Sequence, residues 1–489
     1  MTEQALIRKA GRAAAWSAVA RWFDAGASLL SLFVLVRLLG PETYGLYGMT
    51  LIALALPSAV VGGPLAECLI QQKNLKRGHE AATFITDLGL SAFCTALLVL
   101  AAPLIAAAFR QPGLIPVMQA MAFVPLLSSL GAAPAALLQR DLKFRAMTAV
   151  DGAGTVIAST VGIAMALSGH GVWSLVVMEL TRRFVRSVGF CVAARWTPSI
   201  DVTKADFRDL VRFNAFSVSS RLLVQFDSAL PGAIIGGALG PQALGYYHLA
   251  QRLFTQGASI LLSPLAAVAM PVAAQSQSDM GQLRRVFRQG LRFSTAVAYP
   301  FFIGAAAVAP IYVPLFFGRE WSGSALVIQL IMLMGVRAAT VTFTGGVIRG
   351  AGRPGWQTVI VAIGLLATIV ILPVAAPFGL TAIVGAVLLR GLVTWIAGAV
   401  VLRRIIGFPL RDQILVGWES LIASVVMWLV LAVGGPALGL HGGSWFDLFA
   451  AVAIGGVIHV AMMAALAPGL CLSVLRLIRR ADRGEAAAV

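Results

Sequence analysis

Charge is what this sequence has least of. Asp, Glu, Lys and Arg make up 12% of its 489 residues, about half the share in a soluble domain. So little charge cannot cover a water-facing surface, and a soluble fold is excluded. Cysteine is as sparse: Cys68, Cys94, Cys191 and Cys471 show no paired spacing and mostly sit in apolar runs. That pattern argues against a disulfide framework or a metal site and makes them packing residues. No polar stretch is long enough to fold by itself, so the extramembrane catalytic region that a glycosyltransferase needs is missing. RGAGRPG at 349–355 lacks the P-loop pattern. Nothing here points to an enzyme, a cofactor or a metal.

What the chain has is hydrophobic length. Apolar residues reach 59% and mean hydropathy is +0.88. They fall in about fourteen runs of roughly 18–25 residues, the length a helix needs to cross a bilayer. The runs lie near 13–36, 44–66, 82–108, 115–138, 148–168, 171–193, 211–236, 244–268, 291–317, 325–348, 356–375, 380–402, 414–434 and 446–470. The first run contains Arg21 and Asp24 and leads straight into the next, which predicts an uncleaved first helix rather than a signal peptide. The formal charge of +17 follows topology. With the N-terminus inside, the outer segments hold only Arg37, Arg110 and Arg319 of the basic residues, and the inner segments hold most of the rest. That bias obeys the positive-inside rule and puts both termini in the cytoplasm. It also removes the need for a nucleic-acid partner.

One motif occurs twice. Leu39, Gly40, Pro41, Gly45 and Tyr47 reappear as Leu239, Gly240, Pro241, Gly245 and Tyr247, two hundred residues later. Ser17, Arg21 and Ser28 match Ser217, Arg221 and Ser228 at the same offset, and Gly171 and Arg182 match Gly379 and Arg390 more loosely. The expected architecture is all-α and polytopic. Two six-helix lobes, 1–195 and 196–405, face the same way around a central cavity, followed by two further helices and a cytoplasmic tail over 406–489. Duplicated bundles of this kind are a transporter architecture.

The arginines inside the apolar runs are Arg21, Arg182, Arg183, Arg186, Arg221, Arg252, Arg337 and Arg390. Each costs about 2.5–3.5 kcal/mol at the bilayer centre even on the lenient scale, so all of them facing lipid would cost on the order of 20 kcal/mol. They are expected in a wet cavity or in ion pairs. Ser17, Arg21, Asp24 and Ser28 form one polar stripe at helical spacing, and Asn214, Ser217, Arg221, Gln225 and Ser228 form another. Glu179, Arg182, Arg183 and Arg186 share a third face. Arg183 and Arg186 have snorkelling to the inner interface as an alternative, and Arg252 and Arg337 have pairing between helices. Surplus arginine suits an anion, and the guanidinium fork fits phosphate oxygens. Asp24, Asp227 and Glu179 either couple an ion or neutralise arginine. His248 and His459 read as packing residues before proton carriers.

The stretch RAAAWSAVARWFDAGASLLSLFVLVRLLGPETYGLYGM, with LIQQKNL (69–75), QRDLKFRAM (139–147) and LGPQALGYYHLAQRL (239–253), resembles the Wzx-type polysaccharide flippases of the multidrug/oligosaccharidyl-lipid/polysaccharide exporter superfamily. The resemblance covers 10–405, and the last two helices only by topology. It implies a bacterial inner-membrane protein that carries an undecaprenyl-diphosphate-linked oligosaccharide from the cytoplasmic to the periplasmic leaflet for exopolysaccharide, capsule or O-antigen synthesis. Its partners are then the lipid-linked sugar, the bilayer and a polysaccharide polymerase. One departure matters: Gly62 stands where such sequences often carry aspartate, so no role passes to that position. A drug antiporter of the same superfamily and a non-transporting scaffold for polysaccharide assembly are the competing readings. The first would want an acidic cavity, and the second does not need arginines inside the membrane.

Overall fold

The computed structural model describes residues 3–63, 65–72, 75–198, 202–266, 280–353, 355–435 and 444–469, with side chains omitted at 3–25, 71, 204–206 and 208–217. The expected cytoplasmic tail beyond 469, with Cys471, lies outside the described residues. Among those residues the fold is all-α with no strand. Each apolar run expected to cross the bilayer is mainly helical where it is described, the run 44–66 losing its helix after Val60. Among the described residues nine helices are long and apolar enough to span a membrane, or ten if one bent pair is a single span.

The chain divides into two compact units. The first comprises Met1–His248 and Thr368–Ile383. It holds α1 (Glu3–Val60), α2 (Glu67–Gln71), α3 (Arg77–Ala108), α4 (Leu114–Met121), α5 (Phe123–Arg140), α6 (Phe144–Leu167), α7 (Trp173–Ala194) and most of α8 (Lys204–Leu261). Helices α1 and α8 are each two arms joined at a glycine. Gly40 has φ 69° and ψ 168°, and Gly240 has φ 82° and ψ −175°, a region open essentially to glycine alone. Proline follows each, its fixed φ suiting the first turn of the next arm. The repeated Leu-Gly-Pro is therefore a helix–break–helix signal, which is why one run gives way to another without a loop.

Glycine also sets the packing of α5, α6 and α7. Gly131 faces Ser187, Gly162 faces Met178 and Gly189 faces Val150, each so closely that an added Cβ would fall under 3.0 Å from the neighbour. Small residues that let helices approach are the usual means of association inside a bilayer. Helix α3 shows how the surface is arranged. Leu100 and Leu104 are 77% and 76% exposed, whereas Asp87 and Ser91 on its other side are 1% and 0% exposed. Apolar outside and polar inside is the reverse of a soluble helix and suits lipid.

The second unit comprises Leu249–Ala367 and Val384–Val489. Its helices are α9 (Met280–Ala307), α10 (Ala309–Phe317), α11 (Ala325–Gly350), α12 (Gly355–Ala375, up to Ala367), α13 (Leu380–Ile406, from Val384), α14 (Leu410–Leu415), α15 (Trp418–Leu429) and α16 (Trp445–Leu466). Helices α9 and α10 meet at a bend of 70°. One core cluster joins Leu283, Phe287 and Leu291 of α9 to Phe343 and Val347 of α11, Leu402 and Ile406 of α13, and Phe408. Gly335 lies flat on the Phe302 ring, which an added Cβ would strike at 2.1 Å.

Candidate functional site

In the first unit, α7 presents Glu179, Arg182, Arg183 and Arg186 within two turns. Arg183 Nε lies 2.7 Å from Glu179 Oε1, the i,i+4 pair that the spacing suggests. Arg186 Nε lies 2.7 Å from Asp151 Oδ1 on α6, and its guanidinium stands 5.7 Å from the Phe190 ring centroid. Gly154 on α6 leaves room for this, since a Cβ there would meet Arg186 Cγ at 2.9 Å. Arg221 of α8 pairs with Glu67 of α2. Helix α2 is itself held by Arg140 Nη1, which donates to the carbonyls of Leu69 and Gln72 at 2.7 and 2.6 Å. Arg182 differs from these three in having no ion pair among the described residues, and its Nε is fully enclosed without a hydrogen-bond partner. The Arg221–Glu67 pair is about two-fifths open on each side, and pairs so exposed contribute little stability. An incoming anion could replace that carboxylate at small cost.

In the second unit, Arg337 of α11 and Arg390 of α13 gather around Thr394. Arg337 Nη1 donates to Thr394 Oγ1 at 3.4 Å, and Thr394 Oγ1 donates to the Arg390 carbonyl at 3.3 Å. Arg390 Nε reaches the Gly364 carbonyl at 3.4 Å. Gly391 leaves space beside Arg337, and Gly364 beside Arg390. A cavity of about 250 Å³ opens here, with Tyr299, Arg337, Thr340, Gly391, Trp395 and Gln413 among its lining. It is large enough for several waters or a small head group. Arg252 is exposed on the second arm of α8.

The remaining sequence candidates are scattered. Thr368 donates to Asp227 Oδ1 at 3.2 Å, and Asp227 is buried. Gln225 Nε2 reaches the Ala55 carbonyl and Ser58 Oγ, both at 3.4 Å. Ser228 bonds back to the Gln225 carbonyl of its own helix. Ser28 is buried, and its carbonyl accepts from Ser31. The side chains of Ser17, Arg21, Asp24, Asn214 and Ser217 lie outside the described ones. His459 is buried beside Ser424. Glu67 and Thr394, which hold two of the arginines, belong to no polar stripe; only Thr394 carried a signal, at i+4 from Arg390.

The duplicated motifs touch each other. An added Cβ on Gly45 would lie 1.8 Å from the Pro241 carbonyl oxygen, and one on Gly245 would lie 2.0 Å from that of Pro41. Gly48 faces the ring of His248, its own counterpart in the repeat, at 2.3 Å from such an atom. Equivalent residues meeting in exchanged pairs mark a local two-fold axis through the crossing. Bare backbone against backbone leaves no gap, so the arms of α1 and α8 are closed here. Among the described residues no group of three or more His, Cys, Asp or Glu could hold a metal.

Comparison with known proteins adds a lineage. Residues 34–326 match the family described as "Polysaccharide biosynthesis protein". The chain is 22% identical over 434 residues to the lipopolysaccharide biosynthesis protein WzxC of Escherichia coli (strain K12), covering 86% of this chain and 87% of that one. It is likewise 22% identical over 469 residues to the succinoglycan biosynthesis transport protein ExoT of Rhizobium meliloti (strain 1021), covering 95% and 94%. Among solved structures, the lipid II flippase MurJ in an inward closed conformation superposes with a TM-score of 0.75 at 12% identity, over 93% of this chain and 99% of that one. An inward-facing multidrug resistance transporter of the MATE family superposes at 0.61 and 16%, over 78% and 94%.

Proposed function

Since the chain belongs to the polysaccharide biosynthesis protein family, we propose that it is a flippase moving a polyprenyl-diphosphate-linked oligosaccharide from the cytoplasmic to the periplasmic leaflet of a bacterial inner membrane. The observation that carries this reading is arginine placed inside apolar helices: Arg182 with its Nε enclosed and unpartnered, Arg337 against Thr394 and Arg390 against the Gly364 carbonyl. A diphosphate is the group whose oxygens match several guanidinium forks. The likeness to the succinoglycan biosynthesis transport protein ExoT and to the lipid II flippase MurJ supports such a cargo.

In this reading the arginines of each unit bind phosphate oxygens and the polyprenyl tail stays in lipid. Arg21, Arg182, Arg221 and Arg390 are the main phosphate ligands, with Arg183, Arg186, Arg252 and Arg337 in support. The crossing of Gly45 and Gly245 is the outer closure, which opens when the cargo is delivered. Asp24, Asp227 and Glu179 are candidates for ion coupling. The repeat lobes 1–195 and 196–405 are the moving halves of an alternating-access cycle, with both termini cytoplasmic. A small-molecule antiporter is the second reading, favoured by the fold shared with the MATE transporter. A cationic drug would meet arginines that outnumber the acids, which weighs against it.

Depletion of the protein tests this directly. The expected result is a lipid-linked oligosaccharide accumulating in the inner leaflet, resistant to an impermeant probe from the periplasm, while polymer output falls. Normal output with no accumulation would sink the proposal.

A further inference from the structure

Helix α3 carries a polar line that the arginine site leaves unused. Thr83, Asp87, Ser91 and Thr95 follow at four-residue intervals, and all four are buried. Over twelve residues that line rises ~18 Å. The hydroxyls have ordinary partners: Thr83 donates to the His79 carbonyl at 2.8 Å, Ser91 to Ser129 Oγ at 2.9 Å, and Thr95 to the Ala122 carbonyl at 2.8 Å. The bonds of Ser91 and Thr95 are the common polar glue between helices in a membrane.

Asp87 is another matter. Its carboxylate is 1% exposed and accepts from the backbone N–H of Gly62, at 2.9 Å to Oδ1 and 3.2 Å to Oδ2. It makes no ion pair among the described residues, whereas Glu67, Asp151 and Glu179 all hold arginines. Gly62 lies at a break. Helix α1 has ended at Val60, Gly62 has φ 83°, and residues 61–63 are bends outside any helix. Non-helical backbone at membrane depth occurs where it is buried or lines a cavity.

Charged groups on the elements around α3 are engaged elsewhere. Glu67 of α2 holds Arg221, and Arg140 of α5 donates to Leu69 and Gln72. Glu80 on α3 itself accepts from Trp196 Nε1, and His79 Nδ1 accepts from the Lys76 N–H. Helix α4 has no ionisable side chain. In α1 the charged residues with described side chains are Arg37 and Glu42, beside the Gly40 bend.

We propose that Asp87 is a proton-binding residue at the hinge after α1, and that its protonation biases the transport cycle between its two conformations. This rests on the transport reading above. A buried carboxylate with one N–H donor and no cation is nearly uncompensated, and such a charge is expensive away from water. Adding a proton to one carboxylate oxygen removes that cost. Movement of residues 61–63 would admit water and release the proton; it comes from water and returns to water, and no other bond changes. A metal cation fits worse, because the Gly62 N–H dipole points at the carboxylate and the described residues include no group of three or more His, Cys, Asp or Glu that could hold one.

The test uses the full chain in lipid nanodiscs, with native cysteines replaced and spin labels at the exposed turn positions Glu42 and Gln242. The distance distribution between them reports opening of the Gly45–Gly245 crossing. In the parent protein the ratio of short to long distances should change by up to about tenfold per pH unit, the limit for one linked proton. Asp87→Asn keeps an oxygen for the Gly62 N–H but cannot titrate, so its distribution should be flat with pH, and Asp87→Glu should restore a response. An Asp87→Asn protein that responds like the parent would reduce Asp87 to a cap for the break and overturn the proposal. Should Asp87→Asn not fold, the infrared carbonyl stretch of a protonated carboxyl decides. A band that titrates in the parent and shifts in Asp87→Glu supports the proposal, and no titrating band overturns it. No lipid-linked sugar is present in either arm, so these outcomes are separate from failure of the proposed cargo.

Discussion

Gly45→Ala stops polymer export while the protein still reaches the membrane at its normal level. The added Cβ would lie 1.8 Å from the Pro241 carbonyl oxygen, and backbone cannot rotate out of the way. Overpacking of this kind costs about 1–3 kcal/mol or more, enough to move a two-state population by roughly ten- to hundredfold. The closed crossing is what suffers, so the arms of α1 and α8 are held apart and the cycle stalls. Gly245→Ala, which meets the Pro41 carbonyl at 2.0 Å, should behave alike. Gly237→Ala is the control, because nothing lies within 4 Å of its new atom. Polymer output should fall at least about tenfold for the first two and stay unchanged for the third. Output within twofold of normal for both Gly45→Ala and Gly245→Ala would remove the crossing from the mechanism.

The arginine variants should lose more. Charge-assisted hydrogen bonds contribute about 1.5–3 kcal/mol each, so a fork that loses two of them drops binding by roughly a hundredfold or more. Arg182→Ala and Arg390→Ala are expected to reduce output to that extent at normal protein levels. Lysine in their place keeps the charge without the planar fork and should recover only part. Arg221 needs a different design, because it holds Glu67 and its loss strands a carboxylate. The double change Arg221→Ala with Glu67→Gln separates the two roles. Output restored by the second substitution would make Arg221 a structural partner; output still low would keep it as a phosphate ligand. Full activity of Arg182→Ala and Arg390→Ala together would sink the anion-binding account.

The helical plan was legible because hydrophobic length and the Gly-Pro repeat are local signals. A bilayer demands about twenty apolar residues per crossing, and φ near +70° to +80° at Gly40 and Gly240 demands glycine, so both leave marks in one stretch of sequence. The internal pair of Arg183 with Glu179 was legible for the same reason, as an i,i+4 spacing on one helix. Partners drawn from distant segments left no such mark. Glu67 holding Arg221 and Asp151 holding Arg186 depend on which helices become neighbours. That Gly45 meets Pro241 was hidden as well, although both residues stood out: a repeat says that two motifs are alike, not that they touch. Thr83, Asp87, Ser91 and Thr95 stand at four-residue spacing, but the weight of Asp87 lies in what surrounds it, which spacing does not show.

Transport of a diphosphate-linked sugar lipid by the protein alone is the central claim, and reconstituted vesicles measure it most directly. Vesicles holding the purified full chain and a polyprenyl-diphosphate-linked oligosaccharide with an oxidisable sugar would be treated from outside with an impermeant oxidant. In protein-free vesicles only the outer-leaflet half should react. With the protein present, the account predicts that the inner half becomes reactive as well, that Arg182→Ala slows this by roughly a hundredfold, and that Gly45→Ala slows it at least about tenfold. An inner-leaflet pool equally protected with and without the protein would contradict the claim.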